Sequence, residues 1–314
     1  MDDTSTTGEG GTRVLAEGLR FPEGPVALAD GSVLVVEIAA ERLTKVGPDG
    51  AVEVVAEVPG GPNGAAMGPD GWIWITNNGG CFTWLDLGGI LLPGGVPDTW
   101  RNGTIARVHP ETGVVETMYS HCDGRALLAP NDLVFDAHGG LWFTDFGLRR
   151  ERDALFGSIY YAAADGSSIR EVLTPLESPN GIGLSPEGDR LYVAETYTGR
   201  VYQWRVPEPG VAEGGGLLPP HGDLLVGLPR LQLLDSLAVD GEGYVCVGTL
   251  QEGGITTVSP DGSQVDHVAL DDPLITNIAF GGPDLRTAYV TASSSGRLLA
   301  LDWPRAGFRL PHQA

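Results

Sequence analysis

The sequence predicts an all-β protein built as a single six-bladed β-propeller, and three observations support this prediction. A phrase of two apolar stretches around a turn recurs six times along the 314 residues. The 47 Gly and 23 Pro are spread over the whole chain, as is typical of many short strands joined by tight turns. An unpaired apolar segment near the N-terminus matches a strand that the last repeat lacks, as expected of a ring that closes on itself.

Each repeat begins at a polar residue, runs through an apolar stretch and a turn, and ends in a second apolar strand. The turns, such as ADGS and GPDG, supply the glycines and carboxylates that β-hairpins require. Successive repeats start 40, 68, 49, 55 and 41 residues apart. Spacings of about 40–50 residues with four strands each are typical of propeller blades. The six repeats begin at Glu23, Asn63, Asn131, Asn180, Asp235 and Thr276.

The two ends of the chain predict how the ring closes. Residues 12–19, TRVLAEGL, form an orphan strand, and the last repeat has a third strand in GRLLALDW (296–303) but no fourth. We expect the orphan strand to be the outermost strand of the sixth blade, hiding an edge that would promote aggregation. An open solenoid or β-helix is the alternative, although its repeats are usually shorter. The predicted organisation is a disordered tail (1–11), one propeller (12–303) and a C-terminal tail (304–314).

The hairpins predict two rings of polar residues at one mouth of the central channel. The first residue of one strand and the last of the next lie at the same end of an antiparallel pair. In every repeat, the polar residue that ends the second strand follows the first polar residue by 14 or 15 positions. The inner ring is formed by the six residues that begin the repeats. The outer ring comprises Glu37, Asn77, Asp145, Glu195, Thr249 and Thr291.

The inner ring has the chemistry of a cation site. Two carboxylates and three amides offer the oxygen ligands that a hard cation such as Ca²⁺, Mg²⁺ or Mn²⁺ prefers. Without a cation, the carboxylates would repel each other and one would tend to take up a proton. The alternative is that these residues only bind loop backbones at strand starts. The outer ring could support the ligands from behind, or Asp145 and Glu195 could be ordinary charges of that face.

Composition and missing motifs exclude several classes of function. With 41 acidic and 19 basic residues, the net charge of −22 disfavours nucleic acid and membrane partners. No G-x-S-x-G motif is present and no histidine falls in either ring, so a nucleophile elbow, a Ser-His-Asp triad and a His-rich zinc site are unsupported. The three cysteines suit no disulfide framework. The N-terminus does not resemble a signal peptide and no run could span a bilayer, so we expect a cytoplasmic protein.

Four phrases resemble those of a known family. FPEGP, APNDLVFD, SPNGIGLSPEGDRLYVAET and LDSLAVD, in this order, resemble the SMP-30/gluconolactonase/regucalcin-like family of six-bladed propellers over about residues 14–302. The resemblance implies a lactonase, with some phosphotriesterase-like relatives, and a catalytic Ca²⁺, Zn²⁺ or Mn²⁺ at the channel mouth. It implies that Glu23, Asn180 and Asp235 are metal ligands and that Asp235 is also the general base. Asn131 then matches an asparagine that contacts substrate or serves as a fourth ligand.

The chain departs from that family at one position and carries one long insertion. Sugar-lactone members often have an Arg two positions before the asparagine of the PND motif, where this sequence has Ala129. Residues 79–103, between the second and third strands of blade two, are rich in large apolar residues and could form a lid over the metal. Alternatively, they pack on the propeller rim or on a second subunit. Both features favour a less polar ester or lactone, and the oligomeric state stays open.

These inferences give one functional hypothesis and two alternatives. We expect a metal-dependent hydrolase that acts on a lactone or related cyclic ester, with one divalent cation, Ca²⁺ before Zn²⁺, Mn²⁺ or Mg²⁺. The alternatives are a phosphotriesterase-like hydrolase using the same cation and a non-catalytic binding propeller stabilised by its metal. The expected metal ligands are Glu23, Asn131, Asn180 and Asp235, and the expected substrate-binding residues are Asn131, Asn63, Thr276 and Trp84.

Overall fold

The computed structural model describes residues 11–219 and 221–313, and six four-stranded antiparallel sheets form a ring within it. The first strand of each sheet contacts the first strand of the next, and the last contacts the first again. The six-bladed β-propeller predicted from the sequence is therefore confirmed. The predicted N-terminal tail, residues 1–11, lies outside the described residues except for Gly11. No helix in the described ranges is long and apolar enough to cross a membrane.

The described residues begin with a short strand and then form blades one and two. Blade one is followed directly by blade two, whose second and third strands are separated by an inserted hairpin, β8–β9. A 3₁₀ turn at Ile38–Ala40 follows β3. The strands are β1 (Arg13–Ala16); β2 (Pro22–Ala27), β3 (Val33–Glu37), β4 (Arg42–Val46) and β5 (Val52–Glu57) of blade one; and β6 (Pro62–Met67), β7 (Ile73–Asn77), β8 (Trp84–Asp86), β9 (Leu91–Pro93), β10 (Thr104–Val108) and β11 (Val115–Tyr119) of blade two and its insertion.

Blades three to six follow in chain order. Two minor hairpins, β12–β13 and β16–β17, accompany blade three. The strands are β12 (His121–Cys122), β13 (Arg125–Ala126), β14 (Pro130–Phe135), β15 (Gly140–Asp145), β16 (Leu148–Arg149), β17 (Ala154–Leu155), β18 (Gly157–Ala163) and β19 (Ile169–Leu176); β20 (Pro179–Leu184), β21 (Arg190–Glu195), β22 (Arg200–Arg205) and β23 (Asp223–Gly227); β24 (Leu233–Val239), β25 (Val245–Leu250), β26 (Gly254–Val258) and β27 (Val265–Ala269); and β28 (Ile275–Gly281), β29 (Thr287–Ala292) and β30 (Arg297–Asp302).

The N-terminal strand closes the ring, as the sequence predicts. Strand β1 pairs antiparallel with β30, with Arg13 opposite Ala300 and Val14 opposite Leu299, and it completes the sheet β1-β30-β29-β28. Ala16 and Leu19 are buried in the apolar cluster between blades six and one. The first and the last strand of the propeller, β1 and β30, are thus joined by hydrogen bonds and by apolar packing.

The apolar core lies between neighbouring blades, with one buried cluster at each of the six interfaces. The two innermost strands of a blade have sheets on both faces, so they read as continuous apolar runs rather than alternating ones. Strands β3 and β15 are buried along their whole length, whereas every residue of the outermost strand β27 is exposed. This packing makes the inner strands the rigid part of the fold.

The C-terminal segment lies at the end of the channel opposite the polar rings. Gly307 bridges Asp240 in the turn of blade five, and the Gln313 side-chain amide donates a 2.7 Å hydrogen bond to the Phe280 carbonyl. Leu310 lines a small cavity together with the far ends of the first strands of blades one, two and six. The segment predicted as a C-terminal tail therefore packs across the far mouth of the channel, so the polar end is the open approach to the centre.

Candidate functional site

All six inner-ring residues meet at one mouth of the channel, where they line a single cavity of about 340 Å³. Five of them are buried, while Asp235 keeps part of its surface open to the cavity. The floor of the cavity is therefore polar and rich in oxygen atoms. The residues that form this floor are Glu23, Asn63, Asn131, Asn180, Asp235 and Thr276.

A break in strand register turns the inner and outer rings to different faces. In all six blades, the pairing between the first and second strands shifts close to the ring position. As a result, Pro22 rather than Glu23 lies opposite Glu37, and Pro130 rather than Asn131 lies opposite Asp145. Residues opposite each other share a face, and successive residues point to opposite faces. The outer ring therefore does not line the cavity.

Threonines of the second strands link neighbouring blades at the ring. The Thr144 hydroxyl donates to the Asn180 carbonyl at 2.6 Å and accepts the Asp132 backbone N–H at 3.1 Å. Thr76 makes the same pair of contacts one blade earlier, donating to the Asn131 carbonyl and accepting the Gly64 N–H. Each such threonine joins the first strand of its own blade to the first strand of the next. The backbone that carries the inner ring is thereby held by hydrogen bonds across the blade interfaces.

The outer ring holds the loops that lead into the first strands. Glu37 accepts the Arg20 N–H at 2.7 Å, and Asn77 accepts the Gly61 N–H at 3.0 Å. Asp145 accepts the N–H groups of two such loop residues, at 2.7 and 2.8 Å, and Glu195 accepts one at 2.9 Å. In these four blades the outer residue satisfies backbone donors two or three positions before the inner-ring residue. These side chains position the ring through the backbone rather than supporting its ligands directly.

Two of these loops contain a residue in the left-handed conformation. Phe21 has φ 58° and Ser178 has φ 54°, each two positions before an inner-ring residue. The Ile38 N–H donates to the Phe21 carbonyl, and the Thr196 N–H donates to the Ser178 carbonyl, both at 3.1 Å. Non-glycine residues persist in this region only where the surrounding structure determines it. Two of the eight non-glycine residues with positive φ in the described ranges thus lie at the entry to the site.

Glu23 presents one carboxylate oxygen that is fully bonded and one that is not. Its Oε2 accepts the Asn277 side-chain amide at 2.7 Å and the Gly24 N–H at 2.6 Å. Its Oε1 is buried without a donor in the described part of the chain, and so is Oδ1 of Asn131. A buried acceptor that lacks a partner is costly, and folded proteins rarely tolerate one. Two such oxygens in one cavity are suited to bind a cation.

Asn180 and Asp235 complete an oxygen-rich half of the floor. The Asn180 amide nitrogen donates to the Thr196 hydroxyl at 3.2 Å, which directs its carbonyl oxygen the other way, toward the Ser236 hydroxyl at 3.4 Å. The Ser236 N–H donates to Asp235 Oδ1 at 3.1 Å. Hard cations prefer such carboxylate and amide oxygens. Within the described ranges, no three His, Cys, Asp or Glu side chains cluster as a metal site, so a cation here depends on the amides as well.

The carboxyl groups of the floor have raised pKa values. Burial raises the pKa of Glu23 to about 7, against the lowering effect of the Asn277 and Gly24 hydrogen bonds. Burial, and then the charge of Glu23, raises the pKa of Asp235 well above its usual range. Carboxyl groups that are desolvated in this way favour either protonation or a bound cation. Asp132 does not line the cavity, but burial and then the charge of Glu23 raise its pKa to about 7 as well.

Sequence reasoning missed Asp132 and Asn277, which each follow an inner-ring residue by one position. Both are buried, Asp132 at 6% and Asn277 at 5% exposure. The equivalent positions in blades one, two and four are glycines, because a side chain there would collide with the next strand; a Cβ on Gly24 would lie 2.6 Å from Ala65 N. A residue other than glycine at this position was the sequence signal that could have identified Asp132 and Asn277.

Trp84, predicted to bind substrate, does not line the cavity. It packs against Phe21 at 4.9 Å and Phe82 at 6.0 Å between ring centroids. The insertion instead reaches the cavity through Phe82, Leu92 and Pro93. Trp84 therefore lies one layer behind the wall.

Metal-free protein should become less stable as the pH rises from the usual pKa values of these buried carboxyl groups to their raised ones. For Asp132, whose pKa rises from 3.8 to about 7, the folded state holds a proton that the unfolded state has lost. The contribution of Asp132 to the free energy of unfolding is therefore full below about pH 4 and is lost as the pH rises to about 7. Asp132→Asn should make this fall shallower by up to about 1.4 kcal/mol per pH unit. Urea unfolding at several pH values in chelator tests this; identical slopes for both proteins would contradict it.

The fold and the site define a six-bladed propeller with an oxygen-lined cavity at the open mouth of its channel. Residues 21–294 match the SMP-30/Gluconolactonase/LRE-like region, and the chain belongs to this family. It is 25% identical to the gluconolactonase of Zymomonas mobilis over 89% of this chain and 78% of that protein. It is 26% identical to the pentonolactonase XacC of Haloferax volcanii over 90% of this chain and 84% of that protein.

A solved structure shows the same fold. The calcium-binding protein regucalcin of Agrobacterium tumefaciens superposes with a TM-score of 0.72 at 20% identity, covering 96% of this chain and 97% of that one. The match of residues 21–294 to the family confirms the resemblance seen in the four sequence phrases.

Proposed function

We propose that this protein is a divalent-cation-dependent hydrolase that opens lactones in the cavity at the channel mouth. The observation that carries the proposal is the pair of buried oxygens without donors, Glu23 Oε1 and Asn131 Oδ1, which face one cavity together with Asn180 and Asp235. The names of the gluconolactonase and pentonolactonase relatives support lactones as the substrate class. The cytoplasmic location and the absence of nucleic acid and membrane partners stay predictions.

Four side chains would hold the cation: Glu23, Asn131, Asn180 and Asp235. Their donor atoms are carboxylate and amide oxygens, and no His or Cys in the part of the chain that the structure describes lines the cavity. This set favours Ca²⁺ over Zn²⁺, with Mn²⁺ and Mg²⁺ as alternatives. The description of the structurally similar regucalcin as calcium-binding supports the same choice. Asn277 would act through Glu23, because its hydrogen bond to Oε2 leaves Oε1 free to bind.

The residues of the floor can each be given a role in hydrolysis. A bound cation would act as a Lewis acid toward the lactone carbonyl oxygen. Asp235 accepts a proton from the attacking water as that water adds to the carbonyl carbon, and it returns the proton to the ring oxygen as the ester bond breaks. Its Oδ1 is held by the Ser236 N–H. Asn63, Asn131 and Thr276 orient the ester, and the product is the open-chain hydroxy acid.

Removal of the cation should abolish hydrolysis and lower stability together. Protein treated with a chelator should lose lactone turnover, and added Ca²⁺ should restore it and raise Tm, since a ligand that binds only the folded state stabilises it. Lactone assays with a pH indicator and thermal unfolding, each with and without Ca²⁺, measure both effects. Full turnover in chelator would overturn the proposal. Turnover of organophosphates alone would favour the phosphotriesterase alternative, and cation binding without any turnover would favour a binding propeller.

A further inference from the structure

The walls above the polar floor are apolar. They include Phe21, Ile38 and Leu274 on one side, Phe82 and Leu92 from the insertion, and Phe146 on the rest of the mouth. We propose that the substrate is a lactone with an apolar alkyl or aryl substituent, rather than a polyhydroxylated sugar lactone. This inference rests on the proposed lactone hydrolysis and specifies its substrate class.

The apolar wall is held in place by contacts across three blades. The hairpin β8–β9 leaves blade two, passes over blade one and reaches blade six, where the Leu91 N–H donates to the Ser294 carbonyl at 2.7 Å. Arg20 forms an ion pair with Asp86 at 3.3 Å, and Trp84 packs on Phe21. The wall is therefore formed before any ligand binds, and its shape does not depend on a hydroxylated ligand to order it.

The cavity offers few partners for sugar hydroxyls. Apart from the floor residues proposed to hold the cation or the ester, only Thr196 and Tyr197 among the described residues bring side-chain hydroxyls to it, and no described Lys or Arg lines it. Arg149, in the minor hairpin β16–β17 of blade three, stacks on Tyr197 at 4.5 Å and pairs with Glu177. Each sugar hydroxyl against this wall would lose water without gaining a bond.

An alkyl substituent fits the same wall. Burying a methylene against it removes apolar surface from water, which favours binding by about fourfold for each methylene. A cavity of about 340 Å³ lies at the small end of the range for small-molecule sites, so it admits a lactone ring with a medium chain and not a long lipid.

A series of γ-lactones with increasing alkyl chains tests the proposal. With Ca²⁺ present, kcat/KM should rise about threefold to fourfold per methylene from γ-valerolactone onward until the cavity is full, and it should exceed kcat/KM for glucono-1,5-lactone at least tenfold. A flat series, or a higher kcat/KM on glucono-1,5-lactone, would overturn the inference while leaving lactone hydrolysis intact.

Two leucines of one hairpin provide a matched pair of variants. Leu92 lines the cavity, whereas Leu87 is 59% exposed and does not. Leu92→Asp should reduce the ratio of kcat/KM for the long and short lactones at least tenfold, and Leu87→Asp should leave that ratio unchanged. Equal effects of the two changes would contradict the assigned wall.

Binding of 3-alkylcyclopentanones separates this inference from the proposed function. These ketones copy the ring and chain of the lactones but cannot be hydrolysed. Should no lactone be turned over, the proposed function fails, yet calorimetry should still show affinity that increases with chain length. Affinity independent of chain length would overturn the inference on its own.

Discussion

Asp235→Asn is expected to lower kcat for lactones about 100-fold or more and to weaken Ca²⁺ binding. The substitution preserves size and one oxygen ligand, but it removes a negative charge from the floor and the group proposed to accept the proton from water. Loss of a general base typically costs a factor of 10²–10⁴. Kinetics with saturating Ca²⁺ and calorimetric titration of the metal-free variant measure the two losses separately.

Two further variants make that result specific to the site. Asn180→Asp adds a charge at the same cation, so it should retain or tighten Ca²⁺ while it slows turnover, because more negative charge on the cation makes it a weaker Lewis acid. Asp145→Asn is the matched control: Asp145 is also a buried aspartate with a raised pKa, but it binds loop N–H groups and does not line the cavity. It should lower Tm with little effect on Ca²⁺ affinity. Full metal affinity and full activity in Asp235→Asn would refute the site assignment.

Deletion of residues 1–19 is expected to cost several kcal/mol of unfolding free energy and to cause aggregation. It removes β1 from the edge of β30, and with it Ala16 and Leu19, which are 6% and 5% exposed. Loss of one buried leucine side chain alone costs about 2–5 kcal/mol. The uncovered edge of β30 would then present unpaired backbone groups to another chain. Urea unfolding and size-exclusion chromatography measure the two effects.

The control for this truncation is deletion of residues 1–10. It leaves every described contact of β1 in place, so stability and solubility should match those of the full chain. A truncation at residue 19 that stays as soluble and stable as the full chain would show that closure by β1 is not needed for a stable ring.

The inner ring could be predicted from the sequence because its position depends on local geometry. Hairpins of constant length place the starts of their first strands at one end, and six copies of one phrase place six such ends in one ring. Glu23, Asn131, Asn180 and Asp235 meet in one cavity for this reason. The pairing of β1 with β30 was predictable too, since an orphan strand and a missing strand can only complement each other.

The roles of the outer ring could not be predicted, because they depend on a shift of one residue. The register break places Pro22 and not Glu23 opposite Glu37, and no turn motif in the hairpin indicates it. Glu37 then accepts a loop N–H rather than facing the cation. A shift of one residue moves a side chain to the other face of a strand, so a count of residues between polar positions cannot resolve it.

Periodicity and residue type are sufficient to predict the ring of six blades, its closure and the oxygen chemistry of its floor. The folded structure is needed to show which groups meet across blades: Asn277 of blade six on Glu23 of blade one, and Phe82 rather than Trp84 in the wall. It also placed the C-terminal segment across the far mouth. Such contacts join residues up to 254 positions apart, and they depend on how sheets pack rather than on any local pattern.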